Sequence, residues 1–166
     1  MESIRGNLDT RLRKLDEGQY EAIVLAAAGL RRMGWQERIA ELLPEEVMCP
    51  AVGQGALAVE ISGANETARQ VCAGLDHQST RQAVTAERAV LAGLGGGCQV
   101  PIGAYAKVED GRLRMRAVVI APDGASLVAR TIEGAAAEAA ALGAALAREL
   151  LSAGARRILE SVYGTA

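Results

Sequence analysis

The sequence predicts an α/β partial layer followed by an α+β domain in which helices cover a three-stranded antiparallel sheet. Three observations lead there. An amphipathic stretch near the N-terminus runs into an almost wholly apolar one, the pattern of a helix feeding a buried strand. Beyond residue 100, three strand-like segments are separated by Asp110-Gly111 and by Pro122-Asp123-Gly124, both of which favour tight turns. After them comes an Ala- and Leu-rich stretch with Leu142, Leu146 and Leu150 at four-residue steps, as a helix packed on one face requires.

Taken in order, Leu8, Leu12 and Leu15 recur at helical spacing between Asn7, a residue suited to cap a helix, and Gly18, suited to end one. Residues 20–28 read as a buried strand closed by Gly29. Residues 35–43 read as a helix stopped by Pro44, because proline disfavours helical backbone at the position before it. Residues 57–61 form a short strand candidate, and Asn65 caps a helix reaching about residue 75. A linker follows at residues 76–78. Ser79 and Gln82 stand at capping-box spacing and open a helix that ends before Gly95-Gly96-Gly97.

The three strands then occupy residues 100–109, 112–120 and 126–132. The middle one alternates Leu113, Met115, Ala117 and Val119 with Arg112, Arg114 and Arg116, so one face is wet and the other needs a cover. A helix over residues 135–153 supplies that cover, and residues 155–163 add a last helix.

The chain has 166 residues, and its length allows about two-thirds of the unfolded surface to be buried. Half the residues are hydrophobic but only 2% are aromatic, with no Phe, so Ala, Leu and Val must fill the interior. Eighteen basic and 20 acidic residues leave a net charge of −2, which removes the overall positive field that nonspecific nucleic-acid binding needs. No apolar run reaches 18 residues and the N-terminus lacks a secretion signal, so a cytoplasmic chain with no membrane partner is expected. Cys49, Cys72 and Cys98 form no CxxC pair and His77 is the sole histidine, which supports neither a disulfide framework nor a metal site.

Cys98 is the most unusual position, because three glycines precede it and Pro101 stiffens the exit, leaving the thiol approachable. Two readings stay open from the residues: a reactive thiol, which needs a nearby cation or helix N-terminus, or a small apolar residue in a tight loop. Cys49 and Cys72 read as structural. The glycine run is not a Walker phosphate loop, since no Gly-Lys-Ser/Thr follows. Arg5, Arg11, Arg13, Arg31 and Arg32 cluster in the first third, and guanidinium groups hold carboxylates through paired hydrogen bonds, which suits a polycarboxylate ligand. Each one alone reads as a solvated helix face. His77 reads as a linker or cap residue.

Four stretches are distinctive: Arg5-Gly6-Asn7-Leu8-Asp9-Thr10-Arg11-Leu12, Ala28-Gly29-Leu30-Arg31-Arg32-Met33-Gly34, Pro50-Ala51-Val52-Gly53-Gln54-Gly55, and Gly96-Gly97-Cys98-Gln99-Val100-Pro101-Ile102-Gly103. The sequence carrying them resembles the hydroxymethylbilane synthase family, also called porphobilinogen deaminase, over residues 4–163. The resemblance implies an enzyme that joins four porphobilinogen molecules head to tail, with loss of ammonia, into the linear tetrapyrrole hydroxymethylbilane on the route to haem and chlorophyll. It implies a dipyrromethane cofactor held by a thioether at Cys98. It also implies that Arg5, Arg11 and Arg32 pair with acetate and propionate groups of the cofactor and growing chain, with Gly29 and Gln54 nearby. The physical logic fits, because each pyrrole carries two carboxylates and an elongating chain needs fixed counter-charge, while tethering removes much of the entropic cost of each condensation.

The resemblance further implies three segments. Residues 1–55 would be the second half of a periplasmic-binding-protein-like α/β domain, residues 56–77 a crossover and linker, and residues 78–166 an α+β C-terminal domain carrying the cofactor cysteine. Relative to full-length members the chain lacks the N-terminal part with the catalytic aspartate, so no catalytic residue is assigned here. By itself the chain is expected to be inactive, with porphobilinogen, the growing polypyrrole and a missing N-terminal half as its partners. Competing with this are a non-catalytic α+β module holding an anionic ligand or a partner and, on fold analogy alone, a regulatory ligand-binding domain. Incomplete strands should leave apolar surface exposed.

Overall fold

The computed structural model describes residues 2–96 and 101–163. The chain divides into two compact units, residues 1–43 and residues 44–166.

The first unit holds helix α1 (Leu8–Asp16), helix α2 (Ala27–Arg32) and a single 3-10 turn, Gln36–Arg38. The leucine spacing of α1 does its work: Leu12 is buried, as is Leu30 of α2. Asn7 occupies the cap position of α1 but makes no side-chain capping bond. Two expectations fail here. Residues 20–26 form no strand and have no ladder partner among the described residues, α2 begins at Ala27, and Val24 is 59% exposed. An apolar run licenses a strand only where a neighbouring strand meets it, and period alone cannot supply that neighbour. Likewise, the expected helix over residues 35–43 shrinks to the 3-10 turn, and Leu42 and Leu43 are exposed, because an amphipathic stripe with no surface to cover gains too little to hold a helix.

The second unit begins with an irregular segment over residues 44–65, in which the strand expected at residues 57–61 is absent and Leu57 is 96% exposed. Helix α3 (Glu66–Ala73) is capped as expected, with Asn65 Oδ1 accepting from the Ala68 N–H at 2.9 Å. Helix α4 (Gln78–Gly93) starts one residue before the expected capping box. His77 is its cap, Nδ1 accepting from the Thr80 N–H, so Ser79 and Gln82 lie inside the helix.

Strands β1 (Ile102–Glu109), β2 (Arg112–Ile120) and β3 (Leu127–Ala135) form an antiparallel sheet in that order. Asp110 and Gly111 both have positive φ, 49° and 73°, the backbone that a two-residue hairpin loop demands. The register places Ala104 opposite Ala117 and Met115 opposite Ile132. Leu113, Met115, Ala117 and Val119 point into the core with Val90 of α4 and with Leu146 and Leu150 of α5 (Ala139–Leu150). The helix expected over residues 135–153 is preceded by a 3-10 turn, Ala136–Glu138, and widens at Leu151–Ala155, where Gly154 (φ 104°) breaks the run before α6 (Arg156–Tyr163).

A core nearly free of aromatic residues closes by bringing helices together. A Cβ on Gly143 of α5 would lie 2.3 Å from the Ala86 carbonyl oxygen and 2.6 Å from the Ala89 Cβ, and one on Gly93 would lie 2.6 Å from the Ala147 Cβ. Small residues at the α4–α5 crossing replace the volume that large side chains supply elsewhere.

Candidate functional site

Cys98 and Gln99 lie outside the described residues, but the described residues on either side are held in place. On one side α4 closes with buried Leu94, and the Gly96 N–H donates to the Leu91 carbonyl at 2.9 Å. A Cβ on Gly96 would sit 2.8 Å from that same oxygen, so the return after the helix is too tight for a side chain. On the other side the Pro101 carbonyl accepts from the Ile120 N–H at 3.1 Å, tying Pro101 to β2.

A second loop, residues 49–56, runs beside β1. The Ala104 N–H donates to the Pro50 carbonyl at 3.0 Å, and Gly103 makes that approach feasible, since a Cβ there would lie 2.9 Å from the Cys49 oxygen. The loop then folds into two overlapping turns, closed by the Gln54 N–H on the Ala51 carbonyl and the Ala56 N–H on the Gly53 carbonyl. Gly53 takes φ 77°, open to glycine at little cost. Gln54, the residue singled out here by sequence, is exposed.

What sequence reasoning missed is Glu87. It stands on the buried stripe of α4 with Ala83, Ala86 and Val90, is 3% exposed, and accepts from the Gly53 N–H (2.7 Å) through Oε2 and from the Ala106 N–H (2.9 Å) through Oε1. Burial pushes its carboxyl above the usual glutamate range, and the two amide bonds pull only partly against that. The available signal was an acid at core spacing within α4. Cys49 shows the opposite of a reactive thiol: burial is the largest influence and pushes it up to about 11, with Arg116 pulling the other way and the nearby acids Glu87 and Glu45 adding to the rise.

The arginines of the first unit sort into two groups. Arg13 pairs with Glu17 and Arg38 with Asp16, both exposed. Arg5, Arg11, Arg31 and Arg32 meet no carboxylate among the described residues. Arg11 is aimed rather than free to swing, since its Nε donates to the Gly6 carbonyl at 2.8 Å while the guanidinium fork stays available. Arg5 and Arg32 are exposed, Arg32 closing the last turn of α2. Gly29 lies on the α2 surface facing Leu8, where an added Cβ would be 3.5 Å from Leu8 Cδ2. Four guanidinium groups with no internal acid partner fit a ligand that brings its own carboxylates, as a dipyrromethane does.

One family model, described as porphobilinogen deaminase, dipyromethane cofactor binding domain, matches residues 1–70. A second, described as porphobilinogen deaminase, C-terminal domain, matches residues 81–152. The chain belongs to the porphobilinogen deaminase family. Porphobilinogen deaminases, or hydroxymethylbilane synthases, are transferases of tetrapyrrole biosynthesis, and dipyrromethane is their cofactor. Arg5, Arg11, Gly29, Arg32 and Gln54 all fall in the stretch matched by the cofactor-binding model of this deaminase family, and Cys98 falls in the stretch matched by its C-terminal model. Among the described residues, no helix is long and apolar enough to cross a membrane.

Proposed function

We propose that this chain carries the polypyrrole-holding part of porphobilinogen deaminase chemistry. Cys98 is the thioether anchor of dipyrromethane. Arg5, Arg11 and Arg32 neutralise acetate and propionate groups on the cofactor and growing chain, and Gly29 and Gln54 lie beside it. The observation that carries this reading is the set of guanidinium groups without internal carboxylate partners, inside the stretch matched by the cofactor-binding model. When bound, the dipyrromethane supplies the pyrrole end to which porphobilinogen units are added. The chain's own residues hold and orient it. Fixed guanidiniums offset the two carboxylates that each added unit brings, and the tether makes each addition intramolecular on one side.

In this reading residues 1–55 and 78–166 are the two functional segments and residues 56–77 connect them. The chain works in the cytoplasm and takes porphobilinogen and the polypyrrole as ligands. Alone it is inactive, because none of its residues is assigned the proton-transfer role and, among the described residues, 20–26 and 57–61 stand without ladder partners. A polypeptide supplying a catalytic aspartate and strands to pair with these segments would complete it.

Intact-mass spectrometry tests the anchor. Incubated with porphobilinogen and such a polypeptide, the chain should gain a covalent dipyrrole that Cys98→Ser abolishes. An adduct that survives in Cys98→Ser would reject the assignment. Adduct-free chain that still binds porphobilinogen would favour the non-catalytic anionic-ligand module, which the same arginines could also serve.

A further inference from the structure

Glu87 takes no part in the reading above, yet it joins three segments distant in the chain. Its two carboxylate oxygens accept from Gly53 in the loop and Ala106 on β1, while its backbone belongs to α4. Among the described residues, the Gly53 bond is the sole hydrogen bond that leaves residues 51–56, since the Gln54 and Ala56 amides bond within the loop. The neighbouring stripe positions Ala83, Ala86 and Val90 are apolar, so packing alone calls for no acid at 87. What the position calls for is a pair of acceptors, because the buried Ala106 N–H and the half-buried Gly53 N–H would otherwise lose their partner.

We propose that Glu87 is a positioning residue: by clamping Gly53 against β1 it fixes where the neighbouring Gln54 side chain stands relative to the polypyrrole, without touching the ligand. The inference rests on the polypyrrole-holding function. With one oxygen turned to each, the carboxylate serves both amides at once, at 2.7 and 2.9 Å. A glutamine keeps one acceptor oxygen and turns an N–H₂ group toward the other amide, while a methionine of similar volume keeps neither.

The full chain, Glu87→Gln and Glu87→Met are compared in three measurements: thermal melting by circular dichroism, amide hydrogen exchange by NMR, and porphobilinogen affinity by calorimetry. Exchange at Gly53 and Ala106 should accelerate roughly tenfold on losing an acceptor, and porphobilinogen affinity should fall several-fold, in the order Glu, Gln, Met. Methionine also removes the cost of burying a charge, so its melting temperature need not follow that order. Affinity that tracks melting temperature instead of acceptor number would reduce Glu87 to a structural tie and overturn the proposal. Unchanged Gly53 exchange in both variants would overturn the clamp itself, even with ligand binding intact. Accelerated exchange alongside a parent chain that binds no porphobilinogen would overturn the polypyrrole-holding function, and the positioning role with it, while the clamp bonds stood.

Discussion

A single buried carboxyl gives the chain a stability signature that depends on pH. Glu87 holds its proton more tightly in the folded state than a glutamate in water, whose pKa is near 4.5, because burial outweighs the bonds from Gly53 and Ala106. The folded chain therefore binds more protons than the unfolded chain in the window above 4.5, and stability from this group falls as pH rises through the folded-state value. It is complete below the unfolded value. Urea unfolding of the parent and Glu87→Gln between pH 4 and 8 should show the parent losing ground to the variant as pH rises; a parallel pair of curves would refute the assignment. At this scale the sequence was informative where chemistry is local. The lack of a CxxC pair left Cys49 as an ordinary thiol, and its burial agrees. The arginine cluster stood out, but that Arg13 is occupied by Glu17 and Arg11 steadied by Gly6 required coordinates. Glu87 escaped notice because its partners are backbone amides 34 and 19 residues away, which no side-chain pattern advertises.

Helices and strands were legible in proportion to how much of their reason lies within themselves. The β1–β2 hairpin followed from Asp110-Gly111, and β2 has the expected bounds because its alternation is strict. The expected strand at residues 20–28 and helix at 35–43 lacked such self-sufficient signals, since each depends on a surface elsewhere to bury its apolar side. The α4–α5 crossing is a contact between elements that neither reveals alone. Gly143→Ala puts a methyl 2.3 Å from the Ala86 carbonyl oxygen, backbone that cannot swing aside, and overpacking of this sort costs about 1–3 kcal/mol. The expected result is a lower melting temperature with secondary structure retained. An unaltered melt would mean the helices separate without penalty.

Across the whole chain, burial is unevenly shared. Among the described residues of the first unit, Leu12 and Leu30 alone among the hydrophobic side chains are buried, whereas the sheet, α4, α5 and α6 of the second unit share one continuous core. Local opening should follow that difference. Native-state hydrogen exchange is expected to find weak protection through α1 and α2 and strong protection through β2, α4 and α5, with residues 57–61 as open as a loop. Equal protection in α1 and β2 would contradict it. The exposed Val24, Leu57 and Val59 agree with the expectation that unpartnered strands leave apolar surface in view.

The Pro50 carbonyl and the Glu87 carboxylate occupy the outward amides of Ala104 and Ala106, so the middle of one margin of the sheet is already covered by the chain's own atoms. Proline at that place offers an acceptor and no donor, which blocks an incoming backbone from zipping alongside. A sheet blocked midway along one flank is left with β3 as its more open flank, so copies joining by strand addition would favour a pair over a lengthening ribbon.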